Sequence, residues 1–180
     1  MVCVYLAGPD VFLPHAREQA QAKEAICARF GLVGLSPFNP ALDVSLPADV
    51  LWRRIFADNA ALMARSDAVI ANLTPFRGAS ADAGTLVEIG WFWGAGKPVF
   101  GYSNDPAAFA ARTEALRAVW ADPLPGLEVE NFGLVDNLMI PGAIEARGGM
   151  FMVPEDGVAR AFDELEVFAR CVERVVGVLG

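Results

Sequence analysis

Five short apolar runs, each followed by a longer segment, mostly of helical periodicity, predict an α/β fold: a flavodoxin-like (Rossmann-like) five-stranded parallel sheet flanked by helices, with right-handed crossovers. Two further observations agree. Residues 68–71 form an unbroken apolar run with β-branched members, as a strand covered on both faces does. At 180 residues and 54% hydrophobic content, with a mean hydropathy of +0.38, the chain reads as one domain over 1–180, with a doubly covered sheet or a large subunit interface.

The elements follow in order. Residues 2–7 make an apolar first strand that Gly8-Pro9-Asp10 breaks. Tyr5 is its one polar-tipped side chain, expected as a core tyrosine with a satisfied hydroxyl. Residues 15–30 read as an amphipathic helix closed by Gly31, and the lone His15 at its start is expected in solvent rather than at a reaction centre. Residues 32–35 form a short second strand. The proline-punctuated loop 36–47 is long enough for a lid or a subunit contact.

Asp49 is placed to cap a helix reaching Arg65, with Asp58 and Asn59 in its middle, where short polar residues are mildly disfavoured. Asn59 points either to solvent or over the carboxyl edge of the sheet. The third strand, 67–72, leads through a turn marked by Pro75 and Gly78 to a helix over 81–95, ended by Gly96-Lys97-Pro98. That helix carries Trp91, Phe92 and Trp93 in succession and is apolar almost all round, as at an oligomer interface. A fourth strand spans 99–102, and Asn104-Asp105-Pro106 is expected to cap a helix over 107–119. Residues 122–132 read as loop, and the Asn137-Leu-Met139 segment before Pro141-Gly142 as a helix cap. A last strand over 149–153 and a closing helix over 155–178 complete the chain.

Composition excludes several functions. A formal net charge of −8 and a pI near 4.6 argue against a nucleic acid polymer as partner. No run approaches the ~18–20 apolar residues of a membrane span, and no basic leader precedes the first strand. Three scattered cysteines suggest neither a disulfide framework nor a zinc cluster, and a reducing cytoplasm is the simplest setting. Walker and G-x-G-x-x-G motifs are absent, and no Ser-His-Asp set stands out.

Carboxylate chemistry remains. Ligands of open parallel sheets sit beyond the carboxyl ends of the strands, where the third strand enters its helix. Asp82 and Glu88 flank that point, and Gly84 and Thr85 share a helical face with Glu88, so a ligand can approach closely. A carboxylate pair suits displacement at an anomeric carbon, and the helix dipole is expected to favour ionised Glu88. On chemistry alone, Asp82 as a plain helix cap and Glu88 in a structural ion pair stay open.

Four segments carry a more specific signal: Tyr5-Leu-Ala-Gly-Pro-Asp-Val-Phe12, Asp67-Ala-Val-Ile-Ala-Asn-Leu-Thr-Pro-Phe-Arg-Gly78, Asp82-Ala-Gly-Thr-Leu-Val-Glu-Ile-Gly90 and Asn137-Leu-Met139. In this order the chain resembles the nucleoside 2-deoxyribosyltransferase family. The resemblance implies that Glu88 is the nucleophile forming a deoxyribosyl ester at C1′, that Asp82 holds sugar hydroxyls and that Tyr5 orients Glu88. It implies that Gly8 and Phe12 line the base and sugar pocket, and that Asn137 and Met139 reach a neighbouring subunit's site in a homo-oligomer. It also implies a nucleoside and a free nucleobase as substrates, with no metal and no organic cofactor. One departure stands out: where some members place an aspartate over the base, ungapped spacing puts the amide Asn59, next to Asp58. Hydrolysis of deoxynucleosides or their 5′-monophosphates, and nucleoside binding without turnover, are the competing readings.

Overall fold

The computed structural model describes residues 1–120 and 126–180. Its five strands are β1 (Cys3–Ala7), β2 (Val33–Leu35), β3 (Ala68–Asn72), β4 (Val99–Tyr102) and β5 (Phe151–Met152), paired in the order β2-β1-β3-β4-β5. Every pairing is parallel. The expected sheet is therefore the observed one. β3 is buried along its whole length, because it has neighbours on both edges and helices on both faces.

Strand periodicity sorts side chains to the two faces. Val4, Leu6, Ala68, Ile70, Phe100 and Tyr102 pack with residues of α1 (Ala16–Arg29) and α6 (Glu166–Leu179). Tyr5, Ala7, Val69, Ala71 and Val99 pack on the other face with residues of α2 (Ala48–Arg65), α3 (Ala83–Gly94) and α5 (Met139–Glu145). The odd-numbered phase of β1 thus sends Tyr5 toward α3.

The helices depart from the sequence reading mainly at their ends. Pro47 precedes α2, and Asp49 lies within its first turn rather than capping it. α4 (Phe109–Val119) starts after Ala108, because Asn104 is buried and donates to the carbonyls of Ala161, Phe162 and Glu164, while Asp105 receives Ala107 N–H. α6 begins at Glu166, well after residue 155, since a turn at Gly157 (φ 71°) interrupts the segment before it. The 137–142 segment opens a full helix, α5, whose first amide, Met139 N–H, bonds to Asn137 Oδ1. Of the loop expected over 122–132, residues 122–125 lie outside the described residues, and the remainder contains no helix or strand.

In α3 only Thr85, Ile89 and Phe92 are buried, an i, i+4, i+7 stripe. Trp91, Trp93 and Val87 are exposed, as are Trp52 and Phe56 of α2. The second apolar side expected of α3 is present but uncovered in the single chain. Among the described residues, no helix is long and apolar enough to cross a membrane.

Candidate active site

β1 ends at Gly8, whose φ is 149° and where a Cβ would stand 2.7 Å from Asn72 Cβ. Only glycine fits both the conformation and the contact. The chain then turns through the short 3-10 segment Pro9–Phe12, which sends Asp10 down beneath the sheet edge and leaves Val11 and Phe12 facing a cavity. The cavity has a volume of ≈ 650 Å³. Its other walls are the loop after β2 (Pro37 to Val44), Ile55, Asp58 and Asn59 of α2, and Asp82, Gly84, Thr85 and Glu88 at the start of α3.

Asp82 is the N-cap of α3: its Oδ2 accepts Thr85 N–H at 3.0 Å and Thr85 Oγ1 at 3.2 Å. The capping role and a place in the cavity wall are therefore compatible, because only one carboxylate oxygen is engaged. Six residues on, Glu88 receives a 2.5 Å hydrogen bond at Oε1 from the hydroxyl of Tyr5, which is 0% exposed and stacked against Phe92. Tyr5 is thus a satisfied core tyrosine whose partner is the cavity glutamate.

Glu88 is pushed up to about 7, chiefly by burial, with the Tyr5 hydrogen bond pulling the other way and the Asp82 charge adding to the rise. Burial, then the Glu88 charge, holds the Tyr5 hydroxyl far above its ordinary value. This corrects the expected dipole effect: Glu88 sits in the second turn of α3, past the first turn where the dipole acts, so desolvation prevails.

The cavity contains carboxylates at Asp58, Asp82 and Glu88, and among the described residues no lysine or arginine lines it. Asp58 accepts two hydrogen bonds from Arg54 Nε at 2.9 and 3.1 Å and a longer one, 3.5 Å, from Asn39. Arg77 lies outside, at φ 55°, with its guanidinium over the rings of Phe12 and Phe76. Among the described residues no cluster of three His, Cys, Asp or Glu side chains is arranged to hold a metal.

Of the residues singled out by sequence, Tyr5, Gly8, Phe12, Asn59, Asp82 and Glu88 converge here. Asn137 and Met139 do not: Asn137 Nδ2 donates to Glu130 Oε2 at 2.8 Å, and Met139 is 69% exposed away from the cavity. His15 is half-exposed beside Asp163, 2.9 Å away, so it is oriented but outside this cavity. Sequence reasoning missed Phe38, Leu42 and Val44 as wall residues; apolar side chains within the proline-rich loop were the available signal.

Fold and site together define a flavodoxin-like α/β protein presenting carboxylates at the carboxyl edge of a parallel sheet. The nucleoside 2-deoxyribosyltransferase family model matches residues 4–139, and the chain belongs to that family, whose members are enzymes acting on nucleosides. It is 32% identical over 186 residues to the uncharacterized protein C191.05c of Schizosaccharomyces pombe, covering 89% of this chain and 84% of that one. The 2-desoxiribosyltransferase from Leishmania mexicana is 30% identical with a TM-score of 0.62, over 96% of this chain and 98% of that one. The CMP N-glycosidase BcmB of Clostridium botulinum, 12% identical with a TM-score of 0.51 over 96% and 98% of the two chains, shares the fold alone.

Proposed function

We propose that this protein exchanges the base of 2′-deoxynucleosides through a deoxyribosyl ester on Glu88, with retention at C1′. The observation that carries the reading is Glu88 itself: a cavity carboxylate tied to a buried tyrosine, beside Asp82, with no cation to neutralise it. Ionised Glu88 attacks C1′ as the C1′–N bond breaks, and the bonding pair leaves with the base, which takes up a proton. A nitrogen of the incoming base then attacks C1′ as the ester's C1′–O bond breaks, its pair returning to the Glu88 carboxylate. The proton that nitrogen carried is released to solvent, balancing the one taken up by the departing base. Two inversions give retention.

Tyr5 orients the nucleophile, and the free oxygen of Asp82 holds sugar hydroxyls. Phe12 and Gly8 supply the apolar and close-packed walls, and Asn59 hydrogen-bonds the base without supplying its proton. The cavity favours nucleosides over their monophosphates, because Asp82 and Glu88, with no lysine or arginine among the described lining residues, would meet a phosphate dianion. Nothing in the sequence of steps uses a metal or organic cofactor. Asn137 and Met139 complete the site of an adjacent copy in a homo-oligomer, which accounts for their position outside this chain's cavity and for the exposed tryptophans of α2 and α3. Closure by that copy would keep water from the ester, favouring transfer over hydrolysis.

The test is incubation of 2′-deoxyuridine with free adenine, and separately of deoxyuridine monophosphate, with products resolved by chromatography. Deoxyadenosine is the expected product. Base release from the monophosphate alone would replace the transferase reading with the hydrolase one.

A further inference from the structure

The loop that delivers Asp82 to the cavity has few backbone hydrogen bonds of its own; Phe76 N–H to Ser80 carbonyl, at 3.0 Å, is one. Its last three residues are instead held by two charged side chains that also hold a second loop, residues 135–137. Asp136 is 0% exposed. Its Oδ1 accepts Ser80 Oγ at 2.5 Å and Asn137 N–H at 2.8 Å, and its Oδ2 accepts Ala81 N–H at 3.0 Å. From the other side, Arg112 of α4 donates Nε to the Ala79 carbonyl at 2.9 Å and its two terminal nitrogens to the carbonyls of Val135 and Ala107. The carboxylate gathers donors from both loops and the guanidinium gathers acceptors, so residues 79–81 and 135–137 are joined as one unit.

Asp82 follows this unit directly. Its Oδ2 is engaged by Thr85 in α3, while the amide just before it is anchored to Asp136. We infer that Asp136, supported by Arg112, is a positioning residue for the Asp82 carboxylate, and that it couples Asp82 to the Asn137–Met139 segment. Displacement of residues 137–139 would therefore be felt at Asp82, since a buried carboxylate with three donors cannot release one loop without leaving charge or amides unpaired. The inference rests on the sugar-binding reading of Asp82.

Binding to a Glu88→Ala protein tests it without requiring turnover. The four common 2′-deoxynucleosides and their free bases are titrated calorimetrically, and the tightest pair is followed. In Asp136→Asn the amide keeps the shape but turns an N–H₂ toward Ser80 or Ala81. The deoxynucleoside is expected to bind about tenfold more weakly, the free base unchanged. In an Asp82→Asn background, Asp136→Asn should add nothing, which a general loss of packing would not produce. Ser80→Ala, removing one bond of the three, should weaken the deoxynucleoside alone about threefold, and it decides the matter where Asp136→Asn does not fold. Unchanged deoxynucleoside binding, equal weakening of base and deoxynucleoside, additivity with Asp82→Asn, or no nucleoside binding by the parent would each overturn the inference. Absence of exchange by the wild-type protein would instead sink the transferase reading alone.

Discussion

Asp10 and Glu88 are both acidic side chains at the carboxyl edge of the sheet, yet their surroundings differ. Asp10 Oδ2 lies 2.7 Å from Lys23 Nζ, and Asn72 and Gln19 add amide donors. Lys23 is buried below the rings of Tyr102 and Phe168; burial pulls its ammonium below its ordinary value while Asp10 works against that. Glu88 has no cation, only the Tyr5 hydroxyl. A buried charge that is fully paired becomes part of the architecture and shapes the Gly8 turn from beneath. A buried charge left with one hydrogen bond stays poised between protonation states. The same sheet edge thus carries one carboxylate suited to structure and one suited to chemistry.

Three substitutions sharpen this contrast, in descending order of expected effect. Glu88→Gln should reduce exchange by roughly 10³-fold or more, because the amide is no nucleophile. It should also stabilise the fold at high pH. Glu88 is raised from 4.5 to about 7 in the folded protein, so its stabilising share is full below pH 4.5 and is lost as pH rises through 7. Glutamine removes that loss, giving a gain of ~2–3 kcal/mol above pH 7 and none below 4.5, read from denaturant unfolding at both pH values. An unchanged difference across pH would show that Glu88 is not desolvated.

Lys23→Met should act oppositely, leaving Asp10 uncompensated. A destabilisation of about 3 kcal/mol is expected, a fall in Tm of roughly 6–12 °C. Adding Asp10→Leu should recover part of that stability while weakening nucleoside binding, since Asp10 packs beneath the Gly8 turn; calorimetry of the double variant separates the two effects. Tyr5→Phe is the mildest. Losing a donor to the Glu88 carboxylate should cost about 10–100-fold in kcat/KM and shift the acid limb of its pH profile, expected near pH 7, to higher pH. A limb that stays in place would separate Tyr5 from Glu88 ionisation.

Much of this arrangement was readable from residue order. The alternation of apolar runs and helical segments specifies the sheet because strand and helix periods are local properties of the chain. The spacing from Asp82 to Glu88 places both at the head of one helix for the same reason, whereas residue order marks Tyr5 only as a core tyrosine, and its pairing with Glu88 was implied by the family resemblance alone. Helix starts were read less well, since Asn104 looks like a cap in sequence but is drawn to carbonyls near residue 162.

Tertiary structure alone decided the rest. The protonation balance of Glu88 depends on how much water its neighbours exclude, and no local pattern encodes that. The loop after β2 becomes a cavity wall only once α2 packs opposite it. Asp136 joins Ser80 and Ala81 across 55 or more residues of chain, and Lys23 finds Asp10 beneath a turn. Each is a long-range pairing of buried polar groups, chosen by the fold because an unpaired partner there would be costly.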